Sequence, residues 1–104
     1  MVKVEIKRKS HDIQEVTIRG HAGSGQHGYD LVCAGVSCIS VGALNALEQL
    51  CPKQCELQMQ EAYVHILVNM QSPIVQSVLA TMCIQLATMQ QSYKTYIKIN
   101  DQEV

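Results

Sequence analysis

His21 and Cys33 bracket a glycine-rich segment, His21-Ala-Gly-Ser-Gly-Gln-His-Gly-Tyr-Asp30, that continues into Leu31-Val32-Cys33-Ala34. A thiol and an imidazole placed at the two ends of one loop are the raw material of acyl transfer: the thiolate attacks a carbonyl and the imidazole moves the protons. The helical periodicity that begins after Asp30 puts Cys33 in the first turn of a helix. Unpaired backbone N–H groups and the positive end of the helix dipole favour thiolate over thiol there. Asp30 has the residue type of an N-cap.

The elements that must hold this pair are set by hydrophobic spacing. Val2, Val4 and Ile6 alternate with Lys3, Glu5 and Lys7, and Val16 and Ile18 alternate with Glu15, Thr17 and Arg19. Both runs have the period of a strand buried on one face. Ser10-His11-Asp12 supplies turn residues between them, so the two pair as a hairpin ending at Gly20. His21 therefore sits at a strand end. After the loop, Val32, Val36, Ile39, Ala43, Leu47 and Leu50 recur at helical spacing up to Pro52,. Leu57 and Met59, then Val64, Ile66, Val68 and Met70, restore strand alternation around a weakly marked turn near Glu61. Ser72-Pro73 starts a second helix with a stripe of Val75, Val78, Leu79, Met82, Leu86 and Met89, serine capping and proline at the first helical position. Thr95, Ile97 and Ile99 end the chain as a strand. The predicted architecture is a two-layer α+β domain over residues 1–104, in ββαββαβ order. Its sheet is mostly antiparallel, with both helices on one face and the other face left polar or used for a partner.

Composition narrows the function classes. A chain of 104 residues is one domain, and net charge is -1. The dense basic stretch Lys7-Arg8-Lys9 reads as a solvated hairpin tip, so no nucleic-acid partner is expected. No uninterrupted apolar run suggests a membrane span, and no signal-peptide centre is present in the N-terminal segment, which places the protein in the cytoplasm. Five cysteines, Cys33, Cys38, Cys51, Cys55 and Cys83, form an odd set that reads as reduced thiols,. Cys51 and Cys55 lack the second ligand pair a structural zinc needs, so neither metal nor cofactor is expected. Cys38 and Cys83 fall in helical patterns as core residues.

Three readings compete for the loop. Gly23-Ser-Gly-Gln-His-Gly28 satisfies the spacing of a dinucleotide-binding turn. That fingerprint requires a parallel βαβ unit with an acidic residue after the second strand, whereas an antiparallel hairpin precedes this loop and the next acidic residue, Glu48, lies within the helix. A structural reading makes the glycines a loose connection, Cys33 a small buried residue and His21 a polar strand end. The third reading is a cysteine nucleophile with His21 as its base. His27 is a lesser candidate base, and His11 and His65 have no inferred thiol neighbour.

Gly20-His21-Ala22 followed by Gly28-x-Asp30-x-Val32-Cys33-Ala34-x-Val36-Ser37 resembles the signature of the ribosomal-processing cysteine protease family Prp. The likeness extends to chain length, to Asn45 in the first helix and to the order of elements. It implies a cysteine endopeptidase that removes the N-terminal extension of a large-subunit ribosomal protein, number twenty-seven in its series, during ribosome assembly. It further implies Cys33 as nucleophile and His21 as general base, with Asp30 and Ser37 as possible supporting groups. The alternative is a non-catalytic ribosome-associated or regulatory binding domain on the same fold. Because two helices cover one face of a small sheet, and because the resemblance points the same way, a homodimer is expected. Gly23, Gly25 and Gly28 are expected to make the loop flexible, with substrate supplying the energy to order it.

Overall fold

A computed structural model describes residues 1–21 and 30–104. The strands are β1 (Val2–Lys9), β2 (Asp12–Arg19), β3 (Cys55–Gln60), β4 (Tyr63–Val68) and β5 (Ile97–Glu103), and the helices are α1 (Leu31–Leu50) and α2 (Pro73–Ser92). The strands form one sheet in the order β3-β4-β2-β1-β5. Every pairing is antiparallel except that of β1 with β5, which is parallel. The predicted ββαββαβ order and mostly antiparallel sheet are what the chain adopts.

Hairpin β1–β2 turns through Ser10 and His11, at φ 52° and 72°. Positive φ at both central residues suits the right-handed twist of paired strands. The pairing slips between Lys7↔Glu15 and Arg8↔Ile13. This bulge inserts one residue into β2, so Ile13 and Val16, three apart, both point into the core beside Val2, Val4 and Ile6,. At the bulge, the Gln76 side chain takes the place of a neighbouring strand. Its Oε1 accepts from the Ile13 N–H at 2.8 Å and its Nε2 donates to the Ile13 carbonyl at 2.9 Å, pinning α2 to the sheet.

The core lies between the sheet and both helices. Val32, Val36, Ala43, Leu44 and Leu47 of α1 and Val75, Leu79, Met82 and Leu86 of α2 are buried against it. By length and composition α1 is apolar enough to cross a bilayer, contrary to the expectation that no segment is. Here its apolar stripe packs as a core helix. The opposite sheet face is polar: Glu15 Oε2 meets His65 Nε2 at 2.5 Å across β2 and β4, and the Arg19 guanidinium lies 5.7 Å from the centre of the Tyr63 ring.

Two strand ends differ from the periodicity. Met70 falls outside β4 and is exposed, because the Asn69 and Met70 N–H groups donate to the Gln54 carbonyl rather than to a ladder. Thr95 falls outside β5, because the Tyr96 N–H closes a turn onto the Tyr93 carbonyl. At its far end β5 runs on through Asp101 and Glu103, which alternation of apolar residues could not have signalled. Parallel pairing with β1 and a two-pronged Arg8–Asp101 ion pair, at 2.8 and 3.0 Å, hold that end.

Replacing Gln76 with alanine removes the side-chain partner of the Ile13 N–H and leaves the Ile13 carbonyl to the longer bond from the Gln71 amide at 3.2 Å. The expected loss is about 1–3 kcal/mol of stability, read as a lower urea midpoint with an unchanged slope. An unmoved midpoint would contradict the pinning role.

Candidate active site

Strand β2 ends at Arg19, and the chain leaves the sheet through Gly20 at φ +97°. A Cβ placed on Gly20 would lie 2.5 Å from the Met1 carbonyl oxygen, so both backbone conformation and space require glycine,. Two hydrogen bonds then hold the departing chain. The Gly20 N–H donates to the Ala62 carbonyl at 2.9 Å, and the Met1 amino nitrogen donates to the His21 carbonyl. The backbone of His21 is thereby held between the start of β1 and the β3–β4 turn, while the residue itself stays exposed.

Cys33 is placed by the start of α1. Asp30 is the N-cap: its Oδ1 accepts from the Cys33 N–H at 3.0 Å, and its carbonyl accepts from the Ala34 N–H at 3.0 Å. A cap of this kind satisfies donors that the helix cannot. Val32 and Val36 are buried on the core side, which rotates the half-buried Cys33 and the exposed Ser37 onto a neighbouring side of the helix.

These pieces close around a cleft of about 310 Å³. Its floor is Val2, Ile18 and Val64, one wall is α1 from Cys33 to Val41, and the other is the stretch Met59–Tyr63 at the β3–β4 turn. His21, Cys33 and Ser37 all line it. Among the described residues, the only other ionisable side chains on the lining are Glu61 and Tyr63. A thiol and an imidazole on one apolar-floored, solvent-reached cleft can carry out nucleophilic acyl transfer on an extended chain laid between the walls.

Each sequence candidate within the described residues has a definite place. Asp30 is the cap of α1. Ser37 is exposed on α1, while the Ser40 hydroxyl bonds back along that helix, donating to the Val36 carbonyl at 2.7 Å. Gly23, Gly25, His27 and Gly28 lie outside the described residues. His11 sits in the β1–β2 turn and His65 on the polar sheet face. None of the five cysteines is in a disulfide. Cys38 is exposed rather than core, because it projects into the groove between α1 and α2, where Gly42 and Ala46 leave open space. That groove, about 420 Å³, is larger than the His21–Cys33 cleft, but among the described residues no histidine or carboxylate lines it. Burial pushes the Cys55 and Cys83 thiols up to about 11, so neither is a nucleophile at neutral pH,.

The second wall of the cleft is the turn that strand alternation placed near Glu61, which residue types mark only weakly. Glu61 and Ala62 carry no glycine or asparagine to mark a turn, yet Ala62 has φ +55°.

Comparisons with known proteins agree with this fold. The family model described as cysteine protease Prp matches residues 1–98. The ribosomal processing cysteine protease Prp of Staphylococcus aureus is 31% identical over 91 residues, covering 85% of this chain and 86% of that protein. A crystal structure of the S. aureus essential ribosomal processing protease Prp with a covalently linked product peptide superposes with a TM-score of 0.91 at 29% identity, covering 98% of this chain and 100% of that one. A second, with a substrate peptide, gives 0.81 at 27% identity over the same shares.

Gly20→Ala should cost about 1 kcal/mol or more, since alanine is strained at this φ and meets the Met1 carbonyl. A lowered melting temperature is the expected readout, and a melt identical to wild type would show that the strand end relaxes freely.

Proposed function

The chain belongs to the cysteine protease Prp family, and from that membership we propose that it uses Cys33 and His21 to remove the N-terminal extension of a ribosomal protein, number twenty-seven of the large-subunit series. The chain is a cysteine protease. The observation that carries the residue assignment is the shared cleft: separated in sequence by the loop, His21 and Cys33 line one cavity. Support for the substrate comes from the relatives' description as ribosomal processing proteases and from the peptides bound in their structures.

His21 takes the Cys33 proton, and the thiolate sulfur forms a bond to the scissile carbonyl carbon. The resulting oxyanion develops near the start of α1, whose dipole favours negative charge. The Cys33 N–H is already given to the Asp30 carboxylate, so it can serve the oxyanion only by exchanging that bond. The C–N bond then breaks, the imidazolium hands its proton to the leaving amine, and a thioester remains. Water, deprotonated by His21, attacks the thioester, releasing the new carboxyl terminus and the Cys33 thiol. Asp30 supports this chemistry by fixing the first turn, and Ser37 offers a hydroxyl on the cleft wall beside the nucleophile.

The protein is read as a cytoplasmic homodimer. Glu48 is the only charged side chain in two helices of 20 residues each, and Leu31 and Ile84 on them are 73% and 66% exposed. A layer so poor in charge suits contact with a second copy. Sedimentation at micromolar concentration should give a dimer, and a pure monomer would overturn this part of the reading.

Cys33→Ala and His21→Ala should each lower cleavage of a precursor peptide by about a thousandfold or more. Neither residue is in the buried core, so melting temperatures should stay within a few degrees of wild type. Wild-type cleavage by either variant would refute the pair. Brief iodoacetamide treatment at pH 7 should label Cys33 ahead of the exposed Cys38 and leave Cys55 and Cys83 unmodified. Equal, slow labelling of Cys33 and Cys38 would instead favour a binding domain.

A further inference from the structure

We propose that the β3–β4 turn positions the base: Ala62, held in a left-handed conformation, presents the carbonyl that fixes the strand end carrying His21. The inference rests on the assignment of His21 as general base and adds a residue that acts on the reaction through the backbone beside that base, not on the reacting atoms. Ala62 is a positioning residue.

Three observations converge on it. The Gly20 N–H, one residue before His21, donates to the Ala62 carbonyl at 2.9 Å, while Met1 holds the His21 carbonyl from the other side. Gly20 has itself left the regular strand at φ +97°, so ladder geometry no longer dictates where His21 goes. Those two bonds supply what the ladder stops supplying. The last regular pairing before Gly20 is Arg19↔Tyr63, with the Arg19 guanidinium over the Tyr63 ring, so β2 is in register with the turn up to the point of departure.

Second, Ala62 adopts φ +55° although it has a Cβ. Residues other than glycine stay in that region only where their surroundings over-determine them, and such residues cluster at functional sites. A glycine would reach the same φ freely but would also visit many others, and the carbonyl would lose its fixed direction. Third, Gln60, Glu61 and Ala62 form the cleft wall facing α1. A peptide seated in the cleft rests against the same turn that holds the base, so substrate contact and base placement share one short element. Misplacing a base by about 1 Å can lower a rate about a hundredfold, which is ample for a backbone hydrogen bond to matter.

The test separates positioning from mere wall contact. In Ala62→Val the branched side chain resists positive φ and turns the carbonyl away. In Ala62→Asn the left-handed conformation is tolerated and the carbonyl stays. With a precursor peptide as substrate, Ala62→Val should lower kcat about tenfold or more with KM within about twofold, the pattern of an interaction that acts on the chemical step. Ala62→Asn should restore kcat to within about twofold of wild type. Thermal melts show whether each variant is folded. Should Ala62→Val fail to fold, Ala62→Gly decides, since it keeps the turn but frees it: kcat should fall with KM unchanged. A folded Ala62→Val with wild-type kcat, a change in KM alone, or an Ala62→Asn variant as slow as Ala62→Val would each overturn the proposal. The two levels fail differently. Wild-type cleavage by His21→Ala removes the base assignment itself, whereas an inactive His21→Ala beside a fully active, folded Ala62→Val removes only the role of Ala62.

Discussion

At Gly20 the backbone leaves a central strand at φ +97° with the Met1 carbonyl so near that no Cβ fits, and the placement of His21 depends on that departure. A strand that continued straight would carry the next residue along the sheet. The left-handed step lets the chain turn off instead, and hydrogen bonds to the start of β1 and to the β3–β4 turn catch it immediately. His21 is thus held by the start of β1 and the β3–β4 turn as well as by its own strand, though only β2 contributes its sequence. Rigid elements on every side hold the attachment point of a side chain to a small tolerance, which position-sensitive chemistry requires.

The thiol is placed by different physics. An N-cap determines where α1 begins, and the Asp30 carboxylate does this by taking the N–H of Cys33 itself. The rotation of the helix is then set by burial: Val32, Val36, Ala43 and Leu47 must face the sheet, leaving Cys33 and Ser37 on the flank beside His21. Contact with α2 is close, since a Cβ on Gly35 would lie 2.6 Å from the Met89 methyl carbon. The helix that carries Cys33 is therefore packed against both a sheet and a second helix.

Charge is distributed just as unevenly. The sheet's open face carries Lys3, Glu5, Glu15, Arg19 and His65, whereas Glu48 alone is charged in the two helices. One layer is suited to water and the other to apolar contact, and the cleft lined by His21 and Cys33 lies where residues of both meet.

The sequence by itself determined the elements and the thiol and imidazole that stand at the two ends of one loop. Period-two and helical spacing are local signals: Val2-Val4-Ile6 reads as a strand and Ser72-Pro73 as a helix start whatever surrounds them. The Gly20-His21 and Asp30–Cys33 blocks likewise carried the family resemblance, because strand end, cap and thiol are encoded within a few residues of each other. Tertiary structure decided what depends on residues far apart in the chain. The parallel partner of β5 and its polar end at Glu103, the bulge that brings Ile13 and Val16 to one face, and the outward turn of Cys38 all depend on packing against elements tens of residues away. So does the second wall of the cleft. Glu61-Ala62 contains no residue type that favours positive φ, and the hydrogen bond by which Gly20 engages the Ala62 carbonyl is set by the fold alone. Local preference is written in side chains, whereas that contact is made by backbone atoms that every residue shares.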